Sequence, residues 1–242
     1  MPDPEVMLAK MTRREFREAI EAGKFTTALI CVASSEQHSE HLAMEHDLAS
    51  VVYIAREAAR RLYPRVVVVV PMAVGISEHH MHHKGTLSAR PGGWLAVLSD
   101  VVESVVRHGV RNVLIFNGHG GNSLPIMGVL DQMRYYLKAS APGVNLQFCS
   151  YWDLLSREFL LEHMETDIIP GHAKEFETAI GLALFPENVR REVMAGMEDK
   201  DPLLATAEKG KLFVAEAVRQ TVDYLEKMMD GRIRMPELKY FP

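Results

Sequence analysis

Histidine and carboxylate side chains fall in four short clusters, and each has donors that suit a divalent metal ion. The first is 34–41 (SSEQHSEH), with Asp47 close behind. Glu36 and His38 are two residues apart, so in extended chain they point the same way. A carboxylate oxygen beside an imidazole nitrogen suits Zn2+, Mn2+ or Fe2+. Asp47 opens the next helix. Asp is a favoured N-cap, but beside Glu36 and His38 its carboxylate reads as a bridge between two metals. The second cluster, 75–86 (GISEHHMHHKGT), carries four histidines in five residues. They could form a metal site of their own. Polar loop residues after a strand more commonly shape a substrate pocket, with His79 and His82 exposed and uncommitted. The third cluster is 117–122 (NGHGGN). Its glycines permit close backbone approach, and the helix start that follows offers free N–H groups to an anion or a developing oxyanion. It is neither GxGxxG nor a phosphate loop, because no Lys-Ser/Thr follows. A lone His in such a turn is commonly structural; packed among glycines, His119 reads as a ligand. The fourth, 171–178 (GHAKEFET), places one His and two Glu at a helix start. A solvated, charged first turn is the plain alternative there, while His172 has the chemistry of an acid and base at neutral pH.

The elements that must position these clusters alternate in type. Apolar, β-branched runs at 26–32, 65–72, 112–117 and 144–151 predict strands, the strongest holding five consecutive valines. Helical patterns cover 48–63, 93–108 (with Gly109 as C-cap), 123–138 and 206–230, and another begins near His172 and ends by Pro186. Continuous apolar strands separated by helices predict a parallel sheet covered on both faces, with right-handed connections. Ligands in such sheets sit beyond the carboxyl ends of the strands, where three of the four clusters fall. No motif is legible from 198 to 242.

The 242 residues are 48% apolar, which suits one domain spanning 1–242. A formal net charge of -5 gives no reason to expect nucleic acid or an anionic membrane as partner. No run of about 18 apolar residues is present, and the N-terminal stretch lacks the pattern of a secretory signal. Cys31 and Cys149 lie far apart in apolar runs, as buried free thiols in a cytoplasmic protein would.

Together the four clusters resemble the creatininase (creatinine amidohydrolase) family. Its early Glu-Gln-His, with Asp nine residues after the His, matches Glu36, Gln37, His38 and Asp47. Its Gly-x-Ser-x-x-His followed by Gly-Thr matches Gly75, Ser77, His80, Gly85 and Thr86. Its Asn-Gly-His-Gly-Gly-Asn is 117–122 unchanged, and its late His-Ala-x-x-x-Glu-Thr matches His172, Ala173, Glu177 and Thr178. The likeness runs from about 26 to 189. It implies a three-layer α/β/α fold with a mostly parallel sheet and a two-metal site, Zn2+ first and Mn2+ or Fe2+ next. It also implies metal ligation by Glu36, His38, Asp47 and His119, with Asp47 bridging, and a homo-oligomer, hexamers being known in the family. In creatininase a further Glu ligand lies two residues after the His of the glycine turn, where this chain has Gly121. Glu177 is the candidate to fill that place, Glu175 the weaker one, and a one-metal site the alternative. His172 matches the family's catalytic His, with Glu177 as its catalytic companion. Ser77, His80, His83, Lys84, Gly120, Gly121 and Glu175 are expected to contact substrate.

Three departures bear on the substrate. The family's Gly-Pro-His-Leu-Pro reads Ser39-Glu40-His41-Leu42-Ala43, its Phe-Pro before Gly-Thr reads His83-Lys84, and its His-Ala-Gly-Glu has Lys174 for Gly. Polar and cationic groups replace apolar or small ones, so a small polar substrate fits better than creatinine. The expected reaction is hydrolysis of a cyclic amide or similar C–N bond. Ring-opening C–C cleavage of a keto-polyol such as a dehydro-inosose comes next, then formamidopyrimidine deformylation. A non-catalytic metal-binding protein and a nucleotide-binding α/β protein are the readings from other classes.

Overall fold

The computed structural model describes residues 3–237, with Val70 and Pro71 described by their backbone. Helix α1 (Arg13–Glu21) leads into β1 (Thr27–Val32), α2 (His46–Arg61) and β2 (Val66–Met72). Then come α3 (Pro91–Arg107), β3 (Asn112–Asn117), α4 (Gly120–Ser140) and β4 (Asn145–Ser150). The last elements are α5 (Arg157–His163), α6 (Glu175–Leu184), the short α7 (Arg191–Met194) and α8 (Ala207–Met229). The four strands form one sheet in the order β2-β1-β3-β4, all parallel, with Thr27 level with Val66 and Asn112, and Asn112 level with Asn145.

Every residue of β1 is buried, because both faces of the sheet are covered. Successive side chains point to opposite faces. Leu29, Cys31, Leu114 and Phe116 pack with α2, α6 and α8, while Ala28, Ile30, Val113 and Ile115 pack with α1, α3 and α4. The result is the expected α/β/α sandwich. Each fully buried large aliphatic side chain contributes roughly 1.5–3 kcal/mol, so the strands form the rigid frame and the loops beyond their ends can carry chemistry.

The predicted strands and long helices recur with ends moved by up to three residues. The largest shift is in α4, which starts at Gly120 rather than Ser123. Pro125 lies inside it near the amino end, where it forfeits only its bond to the Gly121 carbonyl. The C-terminal region, silent as sequence, is a central element. Phe213, Val214, Ala217, Val218 and Leu225 of α8 lie in the core against α6 and α2. At Gly210 a Cβ would run into the Ala179 carbonyl and lie 2.8 Å from the Ala183 Cβ, so glycine lets α8 seat on α6. Among the described residues no helix is long and apolar enough to cross a membrane.

Candidate metal centre

Strand order reverses between β1 and β3: the chain leaves β1 for β2 on one side and returns to β3 on the other. Such a switch point opens a crevice at the strand ends, and the clusters converge there. Glu36 and His38 follow β1, Asp47 lies in the first turn of α2, His119 is the N-cap of α4, and Glu177 lies in the first turn of α6. None of the five is more than 4% exposed.

Asp47 lies at the centre. Its Oδ1 is 3.0 Å from His38 Nε2, and its Oδ2 is 3.1 Å from His119 Nδ1. Glu36 Oε1 is also 3.1 Å from His119 Nδ1, and Glu177 Oε2 is 3.8 Å from His38 Nε2. Asp47 does not serve as the cap that was its plain alternative: the N-cap is Glu45, and the Asp47 carboxylate turns to the two imidazoles.

Both imidazoles are set by backbone carbonyls. His38 Nδ1 lies 3.1 Å from the Glu36 oxygen, and His119 Nε2 lies 3.1 Å from the Ile76 oxygen. Each of those nitrogens must donate, so in the neutral rings the lone pairs fall on His38 Nε2 and His119 Nδ1, facing the carboxylates. Asp47 Oδ2, although close to His119, has no aligned hydrogen-bond donor and is buried. Lone pairs that face one another in a buried cluster call for a cation between them. Ligand atoms of Glu36, His38 and Asp47 all lie within 4.8 Å of one another, as do those of His38, His172 and Glu177. Nitrogen and carboxylate donors of this kind fit Zn2+, Mn2+ or Fe2+.

The field agrees. Burial works against a charge on His119, but Asp47 and Glu36 outweigh it and raise its pKa to about 10. Burial likewise opposes the charge on His38, and Asp47 with Glu177 lifts that ring to about 9. Glu177 goes the other way: burial, with the neighbouring Asp47 and Glu36 charges, raises it to about 7 despite His38. Buried carboxylates cost several kcal/mol each when uncompensated. Three in one crevice make sense where cations are to be held.

A second ring of side chains surrounds this centre. His172 precedes α6, in a turn where Ala173 has φ +54° and donates its N–H to Glu177 Oε2 at 2.6 Å. Its ring stacks on His80 at 4.4 Å and lies 4.5 Å from His38. Gln37 ties the group together. Its Oε1 accepts from the Ser39 N–H, so its Nε2 must donate to His80 Nδ1 at 3.0 Å and His172 Nε2 at 2.8 Å. His172 is held neutral, first by burial and then by the His38 charge, with a pKa near 4.

The family model for creatinine amidohydrolase matches residues 9–202. The chain belongs to that family. It is 25% identical to creatinine amidohydrolase of Pseudomonas putida over 197 residues, 76% of this chain and 74% of that protein. It is 26% identical to the mycofactocin precursor peptide peptidase of Mycobacterium ulcerans over 220 residues, 84% of this chain and 86% of that one. The 3-dehydro-scyllo-inosose hydrolase of Thermotoga maritima is 26% identical over 201 residues, 81% of this chain but 61% of that protein. A crystal structure of creatininase shares the fold, with a TM-score of 0.80 at 24% identity over 92% of this chain and 97% of that one. Related solved creatininases include a Zn-Zn type and a manganese form. The chain is a hydrolase of this family.

Several residues expected at the substrate surface of this creatininase-family chain stand elsewhere. Ser77 is fully buried, and its hydroxyl donates to Glu36 Oε2, so it holds a carboxylate in place. Glu175 is fully buried on the far side of the α6 start. Its carboxylate accepts from the Glu165 and Thr166 N–H groups and from Lys209 Nζ at 2.6 Å, and it is spent in that role. His83 and Lys84 are exposed, and Lys84 has no ion pair among the described residues. Gly120 is exposed with open space beside it, while Gly121 is tightly enclosed. The role of Gln37 as a tie between two histidines was not legible in the sequence. The buried His41, bonded to Thr178 Oγ1 at 2.8 Å, and the buried His46 beside His38 were equally silent; an apolar register around polar residues was their only signal.

The Glu175 correction has a measurable consequence. Burial opposes its charge, but Lys209 and the two N–H donors outweigh it and hold the carboxyl below its ordinary value. A depressed folded pKa stabilises above the unfolded value, roughly 4.3, and that stability is lost as pH falls through the folded value. Glu175→Gln should lower stability at neutral pH by about 1–3 kcal/mol and flatten the acid limb of the stability curve. Metal stoichiometry should not change. Denaturant melts across pH, with elemental analysis alongside, check both halves; a lost metal equivalent would return Glu175 to the centre.

Proposed function

We propose that the chain is a divalent-metal-dependent amidohydrolase that cleaves a cyclic amide or similar C–N bond of a small polar substrate. Glu36, His38, Asp47, His119 and Glu177 would hold two ions, Zn2+ first and Mn2+ or Fe2+ next. The observation that carries this reading is the Asp47 carboxylate set between His38 Nε2 and His119 Nδ1, with both ring tautomers fixed by backbone carbonyls. Bound metal supplies Lewis acidity and lowers the pKa of water towards about 7.

The remaining work falls to the protein. Asp47 joins the two halves. Ser77 orients Glu36, and the Ala173 N–H orients Glu177. His172, neutral and half-buried, would take a proton from the attacking water on Nε2, giving up the Gln37 contact, and pass it to the leaving group. The first N–H groups of α4, at Gly120 and Gly121, have no partner within the helix, and a helix start of this kind favours developing negative charge.

Elemental analysis of gently purified protein, before and after Glu177→Gln, tests the centre. Two equivalents falling towards one are expected. One equivalent unaffected by the change would remove Glu177 from the ligands and leave a one-metal mechanism. Assay against cyclic amides, formamides and keto-inositols then fixes the bond. The exposed His83 and Lys84 favour a second reading, ring opening of a cyclic keto-polyol, and turnover confined to keto-inositols would establish it in place of the first.

A further inference from the structure

The His119 half of the centre has room for a donor that the family motif does not supply. His79 lies in the one-turn helix that follows β2, beside the mouth of the crevice. Ligand atoms of Glu36, His79 and His119 lie within 4.8 Å of one another. The His79 and His119 rings are nearly parallel, 12° apart with centroids at 5.8 Å, so their nitrogen edges can address one point. His80 is tied by its Nδ1 to Gln37, and His119 by its Nε2 to Ile76. His79 makes no hydrogen bond among the described residues, and both its nitrogens are free.

Gly121 explains how His79 comes to be there. A Cβ at position 121 would lie 2.9 Å from His79 Cε1. The imidazole therefore occupies space that a side chain at 121 would need. Glycine at 121 both lacks a carboxylate and admits a ring. His79 is also the one member of the group that is exposed, so its donor approaches from the solvent side.

We propose that His79 is a ligand of the metal that Glu36, Asp47 and His119 would hold, on the side where Gly121 carries no donor. This rests on the two-metal reading above. The two halves of the centre then differ: one has His79 and His119 as nitrogen donors, and the other has His38 with Glu177 as its added carboxylate.

The test is Co2+ titration of metal-stripped protein, followed by visible absorption and by competition with a chelator. Wild type, His79→Ala and His82→Ala are compared; His82 is an exposed neighbour whose ring lies against His83. Wild type should take up two equivalents. His79→Ala should keep one at wild-type affinity, weaken the other at least tenfold and lose part of the visible spectrum. His82→Ala should match wild type, and the metal-free melts of all three should coincide. If His79→Ala titrates and absorbs as wild type does, the ligand assignment is overturned while the two-metal reading stands, even if turnover falls. If wild type takes up no Co2+, the two-metal reading fails and the assignment with it.

Discussion

Asp47→Asn should empty both halves of the metal centre and lower hydrolysis by more than about 10³-fold, since losing a single preorganised electrostatic contact already costs 10²–10³. The asparagine side chain has the same shape but no charge, and it presents one acceptor oxygen where the carboxylate presents two. Asp47 Oδ1 serves the His38 side and Oδ2 the His119 side, so one half loses its oxygen outright and the other keeps an uncharged one. The fold should survive. Asp47 sits in the first turn of α2 without capping it, and α2 is anchored by Val51, Ile54, Ala55 and Ala58 in the core. Metal content per chain and turnover, with circular dichroism as a control, decide the matter. A variant that keeps two equivalents would end the bridging assignment. One that keeps a single equivalent would make Asp47 a terminal ligand of the other ion.

The chemistry was more legible in the sequence than the means of holding it. Glu36, His38, Asp47 and His119 stand at strand ends or in a first helical turn, where local pattern predicts position well. The alternation of apolar strands and helices sufficed for the sheet, because each strand is buried on both faces and therefore reads as a continuous apolar run. Residues whose role depends on a distant backbone atom were opaque. Ser77 looks like a loop hydroxyl until the fold places it on Glu36, 41 positions away in sequence. Glu175 and Glu177 are two apart on one helix start, and nothing local says which faces the crevice. The choice is made by Lys209 of α8, which claims Glu175. That helix carries no motif because its task is packing: Phe213, Val214 and Leu225 are ordinary amphipathic positions. His79 likewise needs Gly121 for its meaning, and the two lie on different loops.

Gly121→Ala offers the sharpest test of how the centre is supported. Alanine is the better helix former by about 1 kcal/mol, so at an open position in the first turn of α4 the change would stabilise. Here the added Cβ would fall on the Ile76 carbonyl oxygen and on His119 Nε2, and 2.9 Å from His79 Cε1. The obstruction is backbone on one side and the imidazole of a proposed ligand on the other, so no flexible side-chain end can move away. Overpacking of this kind costs about 1–3 kcal/mol, which cancels or exceeds the propensity gain, and the metal-free melting temperature should hold or fall slightly. The larger effect is on metal. The methyl group would separate His119 Nε2 from Ile76, the contact that leaves Nδ1 free to face Asp47 and Glu36. Loss of such an orienting partner costs roughly 10–100-fold in metal affinity or activity. Gly120→Ala is the control, since a Cβ there meets nothing within 4 Å and affinity should be unchanged. Chelator competition on the two variants reads the difference, and equal affinities would show that the His119–Ile76 contact does not set the ring. Gly121→Glu carries the same Cβ, so restoring a carboxylate at this position should weaken the site rather than strengthen it.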